Sequence, residues 1–387
     1  MVQMQPILAV TWQNLKSIPA RLGTSLVTVI GVAGVVAVLV AVLSMARGFE
    51  ATLESGTAPD NVVVLRSGSS SELDSGFQGE QARLIAQSPQ LAAVSQEIYV
   101  VADIKKKSTG TDANVPIRGV GEAGPDIRRR FEIVAGRMFE PGRKELIAGV
   151  GAADQFVGLD VGSTLELGNE RWDVVGHFET GGAADSELWT AAPVLQGAYR
   201  RGNSYSVIYG KLESADDFQA FKDELTTNPR LSVRVEREAD YFAAQSEALS
   251  TFIEVVGYGI AILMALGALF GALNTMYTAI SDRAREIATL RAIGFSPAAV
   301  VVSVMAEAML LALAGGLIGA VLAWLLFNGI TVSTLSFSSF TQVVFAFAVT
   351  PDLLVRGLVL ALIIGLVGGL APAVRAARVP IVQGLRE

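Results

Sequence analysis

No cysteine occurs in the 387 residues, so the sequence offers no disulfide framework and no thiolate metal or redox site. Histidine is nearly absent too. His177 stands alone, which excludes a His-cluster metal site and any Ser–His triad not built on that residue. It falls at the end of a stretch that reads as a strand, 171–178, where a structural side chain is the plainer reading and a catalytic one the alternative. No catalytic constellation and no metal-ligand set emerges from the remaining side chains. Charge is the third scarcity. Only 17% of residues are Asp, Glu, Lys or Arg, against about 25% in a soluble globular protein.

That scarcity is concentrated. Leu22 to Ala46 carries no charge, nor does Val255 to Ser281; Ala308 to Pro351 is uncharged and too long for one helix, and Gly357 to Val374 follows the single Arg356. A membrane-crossing helix needs about 20 apolar residues, and four such blocks exceed what a soluble core uses. The reading is a membrane protein of four transmembrane α-helices with a large α+β extracytoplasmic domain inserted between spans one and two.

Basic residues beside short flanks set orientation. Lys16 and Arg21 precede the first span, Arg283, Arg285 and Arg291 follow the second, and Arg375, Arg378 and Arg386 follow the fourth. Both termini are therefore expected in the cytoplasm, with the intervening domain outside. Residues 45–250 hold 21 Lys/Arg and 31 Asp/Glu, a net charge of −10. Ser44-Met45-Ala46 resembles a cleavage site, but the apolar run before it exceeds the roughly 7–15 residues of a signal-peptide core, so an uncleaved anchor is expected.

The expected layout is a cytoplasmic amphipathic helix over 1–21 with Trp12 at interfacial depth, a first span over 22–46, an outer domain over 47–250, and a second span over 251–280. A short helix over 281–296, a third span over 297–327, an outer loop over 328–351, a fourth span over 352–373 and a tail over 374–387 complete it. Within the outer domain, strands at Asn61–Arg66, Glu97–Lys107, Asn114–Val120, Tyr205–Leu212 and Leu231–Arg237, with helices at Glu80–Gln87 and Ala215–Thr227, suggest an α+β body in two discontinuous halves, about 60–123 and 201–240. A β-rich insert over about 124–200 separates them. Gly168-Asn169 marks a hairpin turn between Thr164–Leu167 and Arg171–Phe178, and the Ser/Gly-rich stretch 67–79 reads as a flexible loop. Asp240 to Ser281 reads as one helical stretch running from the outer domain into the second span. Lys105-Lys106-Lys107 and Arg128-Arg129-Arg130 are either solvated loops or contacts for a partner protein or anionic lipid; nucleic acid is not expected.

Three intramembrane pairs have the spacing that lets helices approach closely: Gly267 and Gly271, Gly315 and Gly319, Gly365 and Gly369. Glu307 lies about 15 Å into the third span at helical rise. A carboxylate there either faces the bundle interior, at a dimer or coupling contact, or sits at the interface if the span begins later.

The stretch after the second span reads Asn274-Thr275-Met276, then Ser281-Asp282-Arg283-Ala284-Arg285-Glu286-Ile287-Ala288-Thr289-Leu290-Arg291-Ala292-Ile293-Gly294. Periodicity makes it a short helix with an apolar face (Ile287, Leu290, Ile293), stopped by Gly294 and Pro297. It is either a docking helix or a solvated loop with positive-inside residues. The pattern N-x-M followed by R-x-x-E-I-A-x-L-R-A-I-G resembles the coupling region of the MacB/FtsX-type ABC transporter permease family. The closing Ala371-Pro372-Ala373-Val374-Arg375-Ala376-Ala377-Arg378-Val379-Pro380 with Leu385-Arg386, and Gly136-Arg137, Glu145, Val161-Gly162 and Trp172-Asp173-Val174-Val175-Gly176 in the outer domain, are similar to the same family.

The resemblance implies a non-catalytic permease of the bacterial inner membrane that dimerises, with a second copy or a paralogue, and docks a separate ABC ATPase through Arg283, Arg285, Glu286, Leu290, Arg291 and Gly294. No G-x-x-x-x-G-K-[ST] occurs in the sequence, and Gly315-Gly316-Leu317-Ile318-Gly319 lacks the Lys. ATP and Mg are thus expected on the partner, with no cofactor in this chain. The implied work is export or extraction of a substrate at the outer face, with a periplasmic adaptor and outer-membrane channel and membrane lipids as further partners. The alternative is an ATPase-coupled regulator of an extracytoplasmic enzyme such as a cell-wall hydrolase. The first predicts that an ATPase and an adaptor co-purify, the second an ATPase and a hydrolase.

Overall fold

The computed structural model describes residues 22–168, 170–336, 340–378 and 380–381. The expected helix over 1–21, with Trp12, Lys16 and Arg21, lies outside the described residues. So do Asn169, Val379 and the end of the tail with Leu385 and Arg386. Five helices frame the membrane-type part: α1 (Leu22–Glu54), α2 (Glu238–Asp282), α3 (Ala284–Ala292), α4 (Pro297–Phe327) and α5 (Pro351–Arg378). Among the described residues, all of these except α3 are long and apolar enough to cross a membrane. Local chemistry sets their starts. Ser296 caps α4 by accepting from the Ala299 amide at 3.3 Å, and Pro297 occupies the first turn, where its missing N–H costs nothing.

The chain divides into two compact units. One holds residues up to Arg47, Phe252–Ile330 and the chain from Phe347 on; the other holds Gly48–Thr251 and Thr331–Ala346. Helices α1 and α2 each belong to both, and α2 runs its 45 residues without interruption.

Within the helical unit, Val32, Val36, Leu39 and Val40 of α1 pack with Ala261 of α2, Ala320 and Ala323 of α4, and Leu353, Ala361 and Ile364 of α5. Lipid supplies no hydrophobic drive between helices, so close backbone approach must hold them. A Cβ on Gly319 would lie 2.4 Å from the Ala33 carbonyl oxygen, and one on Gly315 2.8 Å from that of Val29. On Gly365 and Gly369 it would lie 2.5 and 2.6 Å from the Cβ atoms of Ala312 and Ala308. The third pair behaves differently. A Cβ on Gly267 or Gly271 would meet nothing within 4 Å, so these two glycines close no helix contact among the described residues.

The other unit is a sheet with helical cover. Its strands are β1 (Asn61–Arg66), β2 (Phe77–Gln78), β3 (Leu91–Lys105), β4 (Asp112–Val120), β5 (Glu132–Gly136), β6 (Glu145–Gly149), β7 (Thr164–Leu167), β8 (Glu170–Glu179), β9 (Leu188–Ala191), β10 (Ser204–Tyr205), β11 (Val207–Leu212) and β12 (Val233–Arg237). Ten of them form one sheet in the order β12-β1-β11-β3-β4-β9-β6-β8-β5, with β7 on β8. β3 joins its two ends, pairing β11 through Leu91–Glu97 and β4 through Ile98–Lys105. Helices Gly79–Ala86 and Phe218–Thr227 cover the first end over Val62, Val64, Ile85, Ile208, Phe221 and Leu225. Val115, Ile117, Leu146, Phe156, Trp172 and Leu188 fill a second core. Gly168, at φ +60, turns β7 into β8 with Leu167 opposite Glu170, a conformation suited to a two-residue hairpin.

Two expectations are corrected here. The loop expected over 328–351 contains a hairpin, β13 (Thr331–Leu335) with β14 (Gln342–Ala346), which packs on the sheet unit. The Val344 amide donates to Ser186 Oγ at 2.8 Å and the Tyr99 hydroxyl meets Thr341 Oγ1 at 3.2 Å. The Ser, Thr, Val and Phe that look like loop composition are strand formers once one face is buried. The stretch 67–79 is not a free loop either. Asp74 accepts from the amides and hydroxyls of Ser70 and Ser71, and Glu72 between them is buried.

The glycine contacts give a direct test. Gly319→Val is expected to cost about 1–3 kcal/mol or more through overpacking, lowering the thermal midpoint in detergent. Gly267→Ala, entering open space, is expected to leave it unchanged.

Candidate functional site

The segment between α2 and α4 has a defined start and a closed end. At Arg283 (φ −111, ψ 8) the chain leaves α2 and starts α3, with the Ile287 amide donating to the Arg283 carbonyl at 2.9 Å. At the other end Gly294 adopts φ +107. There the Phe295 amide bonds the Leu290 carbonyl at 3.1 Å and the Gly294 amide the Arg291 carbonyl at 3.2 Å. That is the paired closure of a helix by a left-handed glycine, so Gly294 acts by ending α3.

One face of α3 is buried. Ile287 joins Met276, Ile280, Val300, Val304, Ala373 and Ala376 in one cluster, with Ala284 and Ala288 also buried. Leu290 and Arg291 are half-buried, while Arg285, Glu286, Thr289 and Ile293 are exposed. The sequence placed Ile293 on the buried face; it is 69% exposed, because it follows the last helical turn and no longer keeps the helical phase. Arg283 points inward instead of outward, 13% exposed at its side chain, with Nη1 3.3 Å from Glu307 Oε2 and Nε 3.3 Å from Glu286 Oε2. Glu307 itself is 6% exposed and its charge is matched by Arg283, as a buried carboxylate requires. Nearby, the Arg375 guanidinium lies 5.2 Å from the Tyr277 ring centroid, joining the end of α5 to α2.

The sheet unit has its own charged centre. Arg118, on β4, holds Glu187 through Nε and Nη2 at 2.6 and 2.7 Å, and its Nη1 reaches Glu72 at 2.6 Å and Glu97 at 2.9 Å. Arg128 grips Glu97 by both oxygens at 2.7 and 2.8 Å. Tyr209 donates to Glu72 at 2.6 Å and Trp189 to Glu187 at 2.7 Å. Both guanidinium groups also stack over Tyr209, at 5.5 and 4.0 Å from its centroid. All five charged groups are buried.

Burial alone would raise the Glu97 carboxyl, but Arg128 and Arg118 outweigh it and hold it below the usual range. For Glu72 burial wins over Arg118, and its carboxyl is raised. Three carboxylates thus face two guanidinium groups in one buried cluster. Nothing in the sequence reading found this cluster. Its one visible signal was an arginine inside the apolar strand pattern Val115-Pro116-Ile117-Arg118-Gly119-Val120. Arg128 corrects the basic-run reading: it is an internal ion-pair partner, while Arg129 and Arg130 are exposed.

The outer-domain motif residues lie side by side. Arg137 forks onto Glu145 at 2.7 and 2.8 Å. Its amide donates to the Val175 carbonyl, and the Gly162 amide to that of Val174. Gly136 adopts φ +73, and a Cβ there would sit 2.2 Å from the Val175 oxygen, so only glycine fits. These residues brace β5, β6 and β8. His177 contacts the Leu159 carbonyl at 2.6 Å near the end of β8. Among the described residues no group of His, Cys, Asp and Glu is arranged to hold a metal ion.

A sheet domain inserted between the first two of four apolar helices, with a charged helix closed by Gly294 after the second, is the layout that the resemblance to an ABC-type permease implies. Residues 25–228 match the family described as MacB-like periplasmic core domain, and 258–381 the FtsX-like permease C-terminal region. The chain belongs to the MacB/FtsX-type ABC transporter permease family and is an integral membrane protein. It is 24% identical over 406 residues to the macrolide export ATP-binding/permease protein MacB of Bdellovibrio bacteriovorus, covering 97% of this chain and 60% of that one. To the pyoverdine export ATP-binding/permease protein PvdT of Pseudomonas entomophila it is 26% identical, covering 58% of this chain and 35% of that one. The chain spans about half the length of the curated relatives it matches. The solved extracellular domain of the noncanonic ABC-type transporter YknZ from Gram-positive bacteria covers 46% of this chain and 99% of its own length, at 18% identity and a TM-score of 0.37.

Two neighbouring arginines should separate sharply. Arg128→Gln leaves Glu97 short of its main partner and is expected to cost about 3–5 kcal/mol in chemical denaturation, whereas Arg129→Gln should fall within about 0.5 kcal/mol of the parent. The Arg137 fork lowers the Glu145 carboxyl to about 2 from an ordinary 4.5. A depressed acid stabilises above its unfolded value and loses that contribution as pH falls through the folded one. Glu145→Gln should therefore be less stable than the parent at pH 7, with the gap closing between pH 4.5 and about 2.

Proposed function

We propose that the chain is the transmembrane subunit of an ABC system, receiving ATP-driven motion from a separate ATPase at α3 and passing it to the sheet domain for export or extraction of a substrate. In this reading the sheet domain faces the outside of the bacterial inner membrane and both termini face the cytoplasm. A second copy or a paralogue completes the assembly, and ATP and Mg are bound by the ATPase. A periplasmic adaptor and an outer-membrane channel would extend the route for export.

The observation that carries the reading is the construction of α3. It is closed at its C-terminal end by Gly294 and fixed to the bundle by Ile287 and by the Arg283–Glu307 pair, yet it leaves Arg285, Glu286, Thr289 and Ile293 facing out. A rigid helix with mixed exposed charge suits a protein partner, where charge pairs set register and encounter rate more than raw affinity. Arg283 and Glu307 are then positioning residues; Arg285, Glu286, Leu290 and Arg291 meet the ATPase. Helix α2 starts directly after β12 and ends directly before Arg283, so a displacement at α3 has an unbroken helix to follow.

Reversing charge at Glu286 together with Arg291 (Glu286→Arg, Arg291→Glu) is expected to abolish the chain's stimulation of its co-purifying ATPase while membrane insertion, read by protease protection, stays normal. Full stimulation by that variant would overturn the assignment of α3.

A further inference from the structure

A cavity of about 620 Å3 opens on the sheet unit, well within the 300–1,000 Å3 typical of small-molecule sites. It shares no lining residue with the Arg118 cluster. Val94 and Gln96 of β3 form one wall, the turn after β4 (Val120 to Pro125) a second, and Met138, Phe139 and Pro141 a third; Ala191 to Pro193 and Tyr205 close it. The walls thus come from both ends of the sheet.

Three features limit what fits. The lining is mostly apolar, with two aromatic rings, Phe139 and Tyr205. It contains no lysine or arginine. Its one charged residue is Glu122, which is exposed and, among the described residues, has no ion-pair or hydrogen-bond partner for its carboxylate. An anion would meet Glu122 with nothing to offset the repulsion. A cation gains the carboxylate and the faces of the rings while keeping its charge near water, so no bare charge is buried. Residues 45–250 carry a net −10, and a field of that sign raises the local concentration of cations.

We propose that this cavity is a binding site for an organic cation: an apolar body of drug-like size held by Val94, Val120, Met138 and Phe139, with a single ammonium-type or other onium charge at Glu122. The site stands independently of the coupling reading, since binding needs no ATPase.

The test uses the full chain in phosphatidylcholine nanodiscs without ATPase, with protein-free nanodiscs subtracted. Ethidium is titrated by fluorescence, and tetraphenylphosphonium and 8-anilinonaphthalene-1-sulfonate are added as competitors. Saturable ethidium binding that tetraphenylphosphonium displaces and the sulfonate does not is expected. Glu122→Gln should weaken it roughly three-fold, the scale of a solvent-exposed charge pair, and Glu122→Lys should weaken it further. Met138→Trp and Pro193→Trp, each filling the space from a different wall, should reduce it more than ten-fold with the thermal midpoint unchanged. No saturable binding of either cation, equal competition by the sulfonate, or full binding in both tryptophan variants would overturn the proposal. Because the ATPase is absent throughout, the outcome is separate from the fate of the coupling assignment.

Discussion

Several strands of the sheet unit meet at the Arg118 guanidinium. It is buried on β4 and bound at once to Glu187 beside β9, Glu97 on β3 and Glu72 from the connection between β1 and β2. Such a cluster adds little net stability over an apolar core, yet breaking one arm leaves a buried charge unpaired. Its effect is therefore on geometry. Slippage of β3 against β4, or release of the Ser69–Ser75 stretch, would strand a carboxylate in low dielectric. The hairpin β13–β14 rests on the same foundation, since Thr341 meets Tyr99, whose ring lies 5.0 Å under Arg118, and Val344 meets Ser186, next to Glu187. A domain held this way resists slippage of its strands against one another.

The helical unit reaches rigidity by different means. Water is not available to drive its helices together, so contact depends on how closely backbones approach. Gly315 and Gly319 admit α1 against α4, and Gly365 and Gly369 admit α5 against α4. Charge appears in this unit mainly where it is matched. Glu307 is tied to Arg283, and that pair fixes the start of α3 to the third span. The same arginine that looks in sequence like one more positive-inside residue is thus part of the frame on which the exposed residues of α3 are displayed.

How much was legible in the sequence depends on the range of the interaction that decides each feature. The spans follow from charge-free blocks, because insertion depends on the summed polarity of about 20 consecutive residues. The end of α3 at Gly294 follows from a single glycine free to take positive φ. The pattern of α3 and the braces at Arg137 and Glu145 were visible as family resemblance, and the structure supplies the physical reason for the latter in a two-pronged ion pair. Features decided by distant partners were not legible. Arg128 and Arg129 are neighbours in a basic run, yet one is buried against Glu97 and the other faces water. Gly267 and Gly319 share a spacing pattern, but only the second has a backbone packed against it. Thr331–Leu335 and Gln342–Ala346 come from a stretch as rich in Ser and Thr as a loop, and they become strands because a sheet lies ready to bury Val343, Val344 and Phe345.

The sequence by itself determined that the chain crosses a membrane four times, that a large acidic domain sits between the first two crossings, and that a short charged helix follows the second. Those are properties of composition and period along the chain. Only the tertiary structure decided which charges are internal, which glycines are contacts, that Glu307 faces the bundle, and that an apolar cavity with one unpaired carboxylate lies between strands far apart in sequence. Each of these is set by what a side chain meets across space, and a single sequence carries no direct record of that.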